Sequence, residues 1–356
     1  MVIHLIIAWN GAVVMGNQAW YNKNVKSNLK ELPLNIYFAP MEGVTDAIFR
    51  RVHRRHFDGV DKYFMPFISP TKSMAFTRRE QFDMSPAQNE GMPVVPQILC
   101  NSAESFNALA AMLRDMGYKE LNLNLGCPSG TVTAKGKGSG LLRAPDRLRE
   151  LLDGIYAQPV LPISIKTRIG YESVEEWPRL LALLRDYPMS ELIIHPRTRQ
   201  EFYNGMPHRE ACELIAFPFL YNGDIFSLSD YQALTQKNPR VTGVMLGRGL
   251  VANPALGRKL RGGAELTMEE LRSFHDDLYT EYLRFWPESA VVGRMHLIIK
   301  YLCSCFEETG SVRRMLRKAR SVAEYDEAVY RLFHECELKK EPVFDVDILL
   351  GRDQRT

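Results

Sequence analysis

The sequence has no excess of either charge: 45 Lys and Arg against 42 Asp and Glu leave a formal net charge of +3 over 356 residues. A globally basic surface is therefore excluded, and an anionic partner such as nucleic acid has to be met by a local patch. Cysteine is sparse. None of Cys100, Cys127, Cys212, Cys303, Cys305 and Cys336 has the two-residue gap of a zinc knuckle or redox motif, and no histidine partner sits at ligand spacing. This points away from a disulfide framework and a structural metal, and toward a reducing cytoplasm. Long apolar runs are missing as well. The stretch 1–16 is apolar but broken by His4, Asn10 and Gly11, too short to span a bilayer. It also lacks the basic start and small-residue cleavage site of a secretory leader. No GxGxxG follows the first strand-like run, which argues against an open doubly wound sheet.

What is present is an ordinary globular composition, 46% hydrophobic and 24% charged, enough for a sizeable core. Residues 1–33 are expected to lie outside the fold, as a loosely docked arm or an upstream mis-assigned start. From residue 34 short β-branched runs at 36–39, 62–66, 94–99, 120–124, 162–168, 191–195, 217–221 and 243–246 alternate with amphipathic segments. Helix signals lie between them: Asn101 with Glu104 as a capping box, Gly117 as a terminator, and Pro145 at a first helical position. Ser173 with Glu176 and Ser227 with Asp230 open two more. Eight strands each followed by a helix predict a (β/α)8 TIM barrel over 34–260. After Gly262 the strand pattern stops, and 266–286, 289–308, 311–319 and 322–337 read as helices. The expected order is α/β barrel, a small C-terminal all-helical domain over 264–338, and a tail over 339–356.

In such a barrel chemistry sits where strands end, and polar groups gather there. The first strand runs into Pro40-Met41-Glu42 and the third carries Gln97. The fourth holds Asn122, Asn124 and Cys127, the fifth Lys166 and Arg168, the sixth His195 and Arg197. The seventh ends in Asn222-Gly223-Asp224 and the eighth in Gly247-Arg248-Gly249. Residues two apart on a strand share a face, so Lys166 and Arg168 lie together, as do Asn122 and Asn124. A single strand with an inward Lys and Arg is as readily a salt-bridged core. Convergence from five strands is harder to attribute to packing. The glycine-flanked end of the eighth strand, just after Asn222-Gly223-Asp224, suits a cofactor phosphate. Cys127 sits between a Gly and a Pro, beside the glycine-rich run from Lys135 to Gly140, which is expected to be a mobile lid. A thiol is mostly protonated at neutral pH and can donate a proton as well as attack.

These motifs, Ala39-Pro40-Met41-Glu42-Gly43-Val44-Thr45-Asp46, Asn124-Leu125-Gly126-Cys127-Pro128, Lys166-Thr167-Arg168-Ile169-Gly170, His195-Pro196-Arg197-Thr198, Asn222-Gly223-Asp224 and Gly247-Arg248-Gly249, resemble in kind and order the signature set of tRNA-dihydrouridine synthases. The resemblance covers about 36–260 closely and the helical part more loosely. It implies FMN at the mouth of the barrel, reduced by NADPH or NADH, and a uracil of tRNA as substrate. Carried over, Pro40, Met41, Glu42, Gln97, Lys166, His195, Asn222, Gly223, Asp224, Gly247 and Arg248 hold the cofactor. Cys127 is the proton donor. Asn124, Arg168, Arg197, Lys135, Arg294 and Lys300 meet uracil or tRNA. Two positions depart from the family pattern: Asn122 stands where Asp is usual, and Pro196 where Gly is usual.

The implied chemistry is hydride addition at the electron-poor C6 of uracil and protonation at C5 by Cys127. A stacked or paired uracil must first leave the stack. Phosphate contacts are expected from Arg50-Arg51-Val52-His53-Arg54-Arg55-His56 or from the basic run 313–320, although either run alone reads as a solvated helix face. The expected protein is cytoplasmic and monomeric, binding tRNA with no membrane and no metal. Competing readings are an FMN barrel oxidoreductase acting on a small molecule, an RNA-binding protein with a vestigial flavin site, and an aldolase-like barrel using Lys166.

Overall fold

The computed structural model describes residues 34–71, 73–342 and 344. The arm expected over 1–33 and most of the tail expected over 339–356 lie outside these residues. The strands are β1 (Asn35–Phe38), β2 (Lys62–Phe64), β3, β4 (Leu121–Leu125), β5 (Ile163–Gly170), β6 (Leu192–Thr198), β7 (Phe219–Asn222) and β8 (Val241–Leu246). β3 is split at Pro96 into Val94–Val95 and Gln97–Ile98. Proline has no N–H to give to a ladder, and here it divides one strand's duties. Its first half pairs with β2 and its second with β4, so the parallel sheet closes on itself. β8 pairs with β1, placing Gly243 opposite Asn35. A Cβ on Gly243 would stand 2.2 Å from the Asn35 carbonyl oxygen, so only glycine permits that seam.

Long helices outside the barrel are α1 (Ala47–His56), α2 (Ala103–Asp115), α3 (Pro145–Tyr156), α4 (Trp177–Arg185) and α5 (Leu228–Lys237). Their start signals act largely as expected. Pro145 opens α3, Ser173 with Glu176 forms a capping box ahead of α4, and Ser227 with Asp230 forms one at α5. One signal is displaced: Ser102 rather than Asn101 caps α2, accepting from Ser105 N–H. Asn101 instead donates to the Lys135 carbonyl.

Strand alternation sorts side chains cleanly. Tyr37, Ala39, Phe64, Val95, Ile193, Leu220 and Met245 form an apolar cluster of their own inside the barrel, while the opposite parity packs against the helices. Two residues further along the same inward faces come Gln97, His195, Asn222 and Gly247. The barrel therefore has an apolar plug with a polar rim above it.

The C-terminal helices α6 (Met268–Phe285), α7 (Glu288–Leu302), α8 (Gly310–Lys318) and α9 (Val322–Glu335) pack on the barrel. The joint is α1, and it accounts for the early basic run. Arg50 is buried against Asp83 and Asn89, His53 is buried between the Tyr63 hydroxyl and the Pro254 carbonyl, Arg51 pairs with Glu281, and Arg55 and His56 pair with Asp277. That run holds α6 rather than forming a free phosphate-binding face. Asp46, the N-cap of α1, also accepts from Tyr282 Oη at 2.9 Å and from Arg294 at 2.8 Å.

Candidate active site

At the C-terminal ends of the strands lies a cleft of about 530 Å³, walled on one side by Leu297, Lys300 and Tyr301 of α7. The β1 turn is built first. Met41 N–H donates to Thr45 Oγ1 at 2.8 Å, Thr45 N–H returns to the Met41 carbonyl, and Gly43 takes φ +76°. Pro40, Met41 and Glu42 thereby face the cleft, with Glu42 paired to Arg79.

Next to it runs a buried ladder of amides. Asn122 Nδ2 donates to Ser164 Oγ at 2.8 Å, Gln97 Nε2 to Asn122 Oδ1 at 2.7 Å, and Asn124 Nδ2 to Gln97 Oε1 at 2.6 Å. Asn124 Oδ1 then accepts the backbone N–H groups of Gly126 and Cys127 at 3.0 and 2.9 Å. Each donor points the same way, so the bonds polarise one another. The substitution Asn122 leaves the ladder complete. Asn124 lines the cleft as expected, yet its oxygen shapes the Cys127 turn.

Cys127 is half-buried at the cleft wall. Burial pushes its thiol up, against the opposing pull of the Ser129 amide and Arg168, so the sulfur keeps its proton at neutral pH. The expected mobile lid is absent here. Gly138–Leu141 forms a buried turn, Ser139 Oγ donates to the Cys127 carbonyl at 2.7 Å, and a Cβ on Gly138 would crowd that same carbonyl at 3.1 Å. The glycines serve close packing around the cysteine.

The rim from the neighbouring β5 round to β8 is cationic. Lys166 reaches the cleft from β5 with no acceptor near its Nζ among the described residues. Burial and then Arg168 lower its pKa to about 7. Arg197 donates to His195 Nε2 at 3.0 Å. A guanidinium only donates, so that nitrogen is unprotonated. Burial and the surrounding cations hold His195 well below its ordinary pKa. The neutral ring therefore carries its proton on Nδ1. Arg197 continues to Asp224 at 2.5 Å, and Asp224 also pairs with Arg248. Asn222 donates to the Met245 carbonyl at 2.7 Å, and a Cβ on Gly247 would touch Met41 Sδ at 3.3 Å.

Three expected site residues lie elsewhere. Arg197 is buried behind His195, Lys135 is exposed on the turn beyond Cys127, and Arg294 is tied to Asp46. Arg168 lines the cleft, but its guanidinium serves the carbonyls of Gly126, Thr198 and Phe202. Pro196 falls where the β5/β6 register shifts, a bulge that tolerates a residue without an N–H. Sequence reasoning missed Tyr203, Asn204, Phe67, Leu297 and Tyr301. Tyr203 carries the guanidiniums of Arg168 and Arg248 over its ring at 5.4 and 5.3 Å. It lies on a loop past a strand end, where strand periodicity is blind.

Residues 37–344 match the family described as Dihydrouridine synthase (Dus). The chain belongs to that family. Among curated relatives, the probable tRNA-dihydrouridine synthase of Staphylococcus aureus (strain COL) is 30% identical over 309 residues, covering 83% of this chain and 92% of the relative. Probable tRNA-dihydrouridine synthase 2 of Bacillus subtilis (strain 168) is 32% identical over 268 residues, covering 71% and 81%. Among solved structures, morphinone reductase is 13% identical with a TM-score of 0.46, covering 66% of this chain and 88% of that one. No group of three or more His, Cys, Asp or Glu able to hold a metal occurs among the described residues. None of the described helices is long and apolar enough to cross a membrane.

Proposed function

We propose that this chain reduces a uridine in the D-loop of cytoplasmic tRNA to 5,6-dihydrouridine, with FMN bound in the cleft and NADPH or NADH as reductant. The residues present fit that cofactor. An unpaired Lys166 ammonium, a neutral His195 donor and Arg248 all line the cleft, and the glycine at 247 opens the strand end beside Met41. Pro40, Met41, Glu42 and Gln97 would line the ring system, while Asn222, Gly223, Asp224, Gly247 and Arg248 would hold the ribityl phosphate. When bound and reduced, the flavin supplies the hydride that goes to C6 of uracil.

The protein's own contribution is a proton. Cys127 Sγ–H delivers it to C5, so that one hydride and one proton saturate the C5=C6 bond and the thiolate left behind is reprotonated from solvent. Asn124 orients that cysteine through its backbone amide. Lys166 supplies positive charge, a preorganised electrostatic role. Lys300 and Tyr301 close the uracil side, and the basic α8 offers phosphate contacts. The observation that carries the reading is a thiol held protonated in the same cleft as Lys166, on the strand beside it, and the cations of the β5 to β8 rim. The test is to express the chain in cells without dihydrouridine synthases and map dihydrouridine in their tRNA. Cys127→Ala should keep its yellow flavin and its reduction by nicotinamide yet form little dihydrouridine; normal turnover by that variant refutes the donor assignment.

A further inference from the structure

Arg168 and Arg197 are almost fully buried, and both donate to the end of β6 or the loop that follows it. Arg168 donates to the carbonyls of Thr198 at 2.7 Å and Phe202 at 2.6 Å, and Arg197 to those of Asn204 at 3.2 Å and Gly205 at 2.5 Å. The loop they grip is strained, since Phe202 takes φ +52° without being glycine. It holds two apolar side chains out in water, Phe202 at 39% exposed and Met206 at 73%, with Tyr203 between them on the cleft side. Buried cations and backbone strain are an expensive way to hold apolar groups in solvent, and such features mark functional segments.

Tyr203 turns into the cleft. Phe202 faces a different structure, a stack of alternating cations and rings. Arg143 lies over the Tyr171 ring at 5.0 Å, Arg199 over the same ring at 5.4 Å, and Arg199 over Phe202 at 4.9 Å. Both arginines also reach Thr133, on the short helix that follows Cys127. The stack therefore adjoins the catalytic turn. Neither guanidinium has a carboxylate within ion-pair distance among the described residues, and Arg199 Nε is buried without a partner. Unneutralised cations interleaved with rings, the outermost of which, Phe202, is 39% exposed, match a nucleic-acid strand, whose bases stack on rings while its phosphates meet guanidiniums. A protein partner would offer no reason for the alternation.

We infer that the Arg143–Tyr171–Arg199–Phe202 stack is a platform for single-stranded RNA next to the target uridine. One flanking base stacks on Phe202, and its phosphate meets the guanidinium edge of Arg143 or Arg199 at the side of the stack. This rests on the proposed tRNA substrate and assigns the part of it held outside the cleft. The rigid grip of Arg168 and Arg197 then has a purpose, because it keeps the platform in place while the neighbouring uracil is out of the stack.

The test uses the full chain with bound flavin and an unmodified tRNA transcript. Phe202→Ala should weaken tRNA binding about five- to hundredfold, the effect of removing one stacked base. Phe202→Trp should restore it. Arg143→Gln should reduce the salt dependence of binding by about one phosphate contact. Reduction of the flavin by nicotinamide without tRNA should be unchanged in all three. The platform is overturned if the wild-type chain binds tRNA and makes dihydrouridine while Phe202→Ala binds within twofold of it. It is equally overturned if Trp fails to restore binding or if flavin reduction falls alongside. A wild-type chain that neither binds tRNA nor makes dihydrouridine overturns the underlying functional reading instead.

Discussion

Replacing Asp46 should separate the structural joint from the chemistry. Its Oδ1 accepts from Phe49 N–H at 3.0 Å and Tyr282 Oη at 2.9 Å, and its Oδ2 from Arg294 at 2.8 Å. Arg294 is 18% exposed and stacks on Trp286 at 4.3 Å. Asp46→Ala removes a helix cap, worth about 1 kcal/mol, and orphans a fully buried tyrosine hydroxyl, costing about 1–3 kcal/mol. It also leaves Arg294 without its carboxylate. Breaking a buried pair costs about 3–5 kcal/mol, which partial exposure and the Trp286 contact reduce to about 2 kcal/mol. The three losses share one side chain and do not add fully, so the expected destabilisation is about 4 kcal/mol. Asp46→Asn keeps an oxygen for the cap and for Tyr282 and forfeits only the ion pair, an expected loss of about 2 kcal/mol. Urea unfolding followed by tryptophan fluorescence reads both values, and a cycle with Arg294→Met isolates the pair. Because α7 also walls the cleft, both variants should release flavin more readily. An Asp46→Ala chain within about 0.5 kcal/mol of wild type, or an Asn variant as damaged as the Ala one, refutes the reasoning.

Three further outcomes follow from the cleft. Cys127 is raised by burial, so as a proton donor it is competent at pH below its shifted pKa and fails as pH climbs through it; dihydrouridine formation should fall on the alkaline side only, and iodoacetamide should label this thiol slowly at neutral pH. Lys166 is lowered to about 7, and an anionic ligand favours its charged form, so FMN affinity should be flat below about 7 and decline above it, a slope that Lys166→Met removes; an affinity constant from pH 6 to 8.5, titrated by flavin fluorescence, contradicts this. Asn122→Leu leaves Gln97 Nε2 without its acceptor and Ser164 without its donor, which should cost about 2–4 kcal/mol in unfolding and loosen the Cys127 turn, seen as faster alkylation.

Strand ends were readable from sequence because their signal is local. A β-branched run that stops at a Gly, Pro or Asn declares its own boundary, and alternation then assigns faces, so Gln97, Lys166, His195 and Asn222 could be placed together without coordinates. Helix starts were readable for the same reason, apart from a one-residue displacement where Ser102 competes with Asn101. Long-range partnerships carry no such local signature. Nothing in the spacing of 50–56 reveals that Asp83, Asp277 and Glu281 wait for its cations. A glycine-rich run reads as flexible until the chain around it shows that the missing Cβ atoms admit the Cys127 carbonyl. Tyr203 was invisible because a loop residue has no period.

The same limit explains why charge at a strand end is a poor guide to what touches a ligand. Four guanidinium or imidazole groups and one ammonium crowd the β5 to β8 rim, and each must be neutralised, hydrogen-bonded or left neutral. Asp224 takes Arg197 and Arg248. Backbone carbonyls take Arg168. His195 stays uncharged because Arg197 donates to it and burial opposes a second proton. That leaves Lys166, whose only remaining response within the chain is a pKa lowered to about 7. The unsettled charge, rather than the largest or most exposed one, marks where an anionic group from outside is accommodated. On this rim that is the β5 lysine, set against the protonated sulfur of the neighbouring strand.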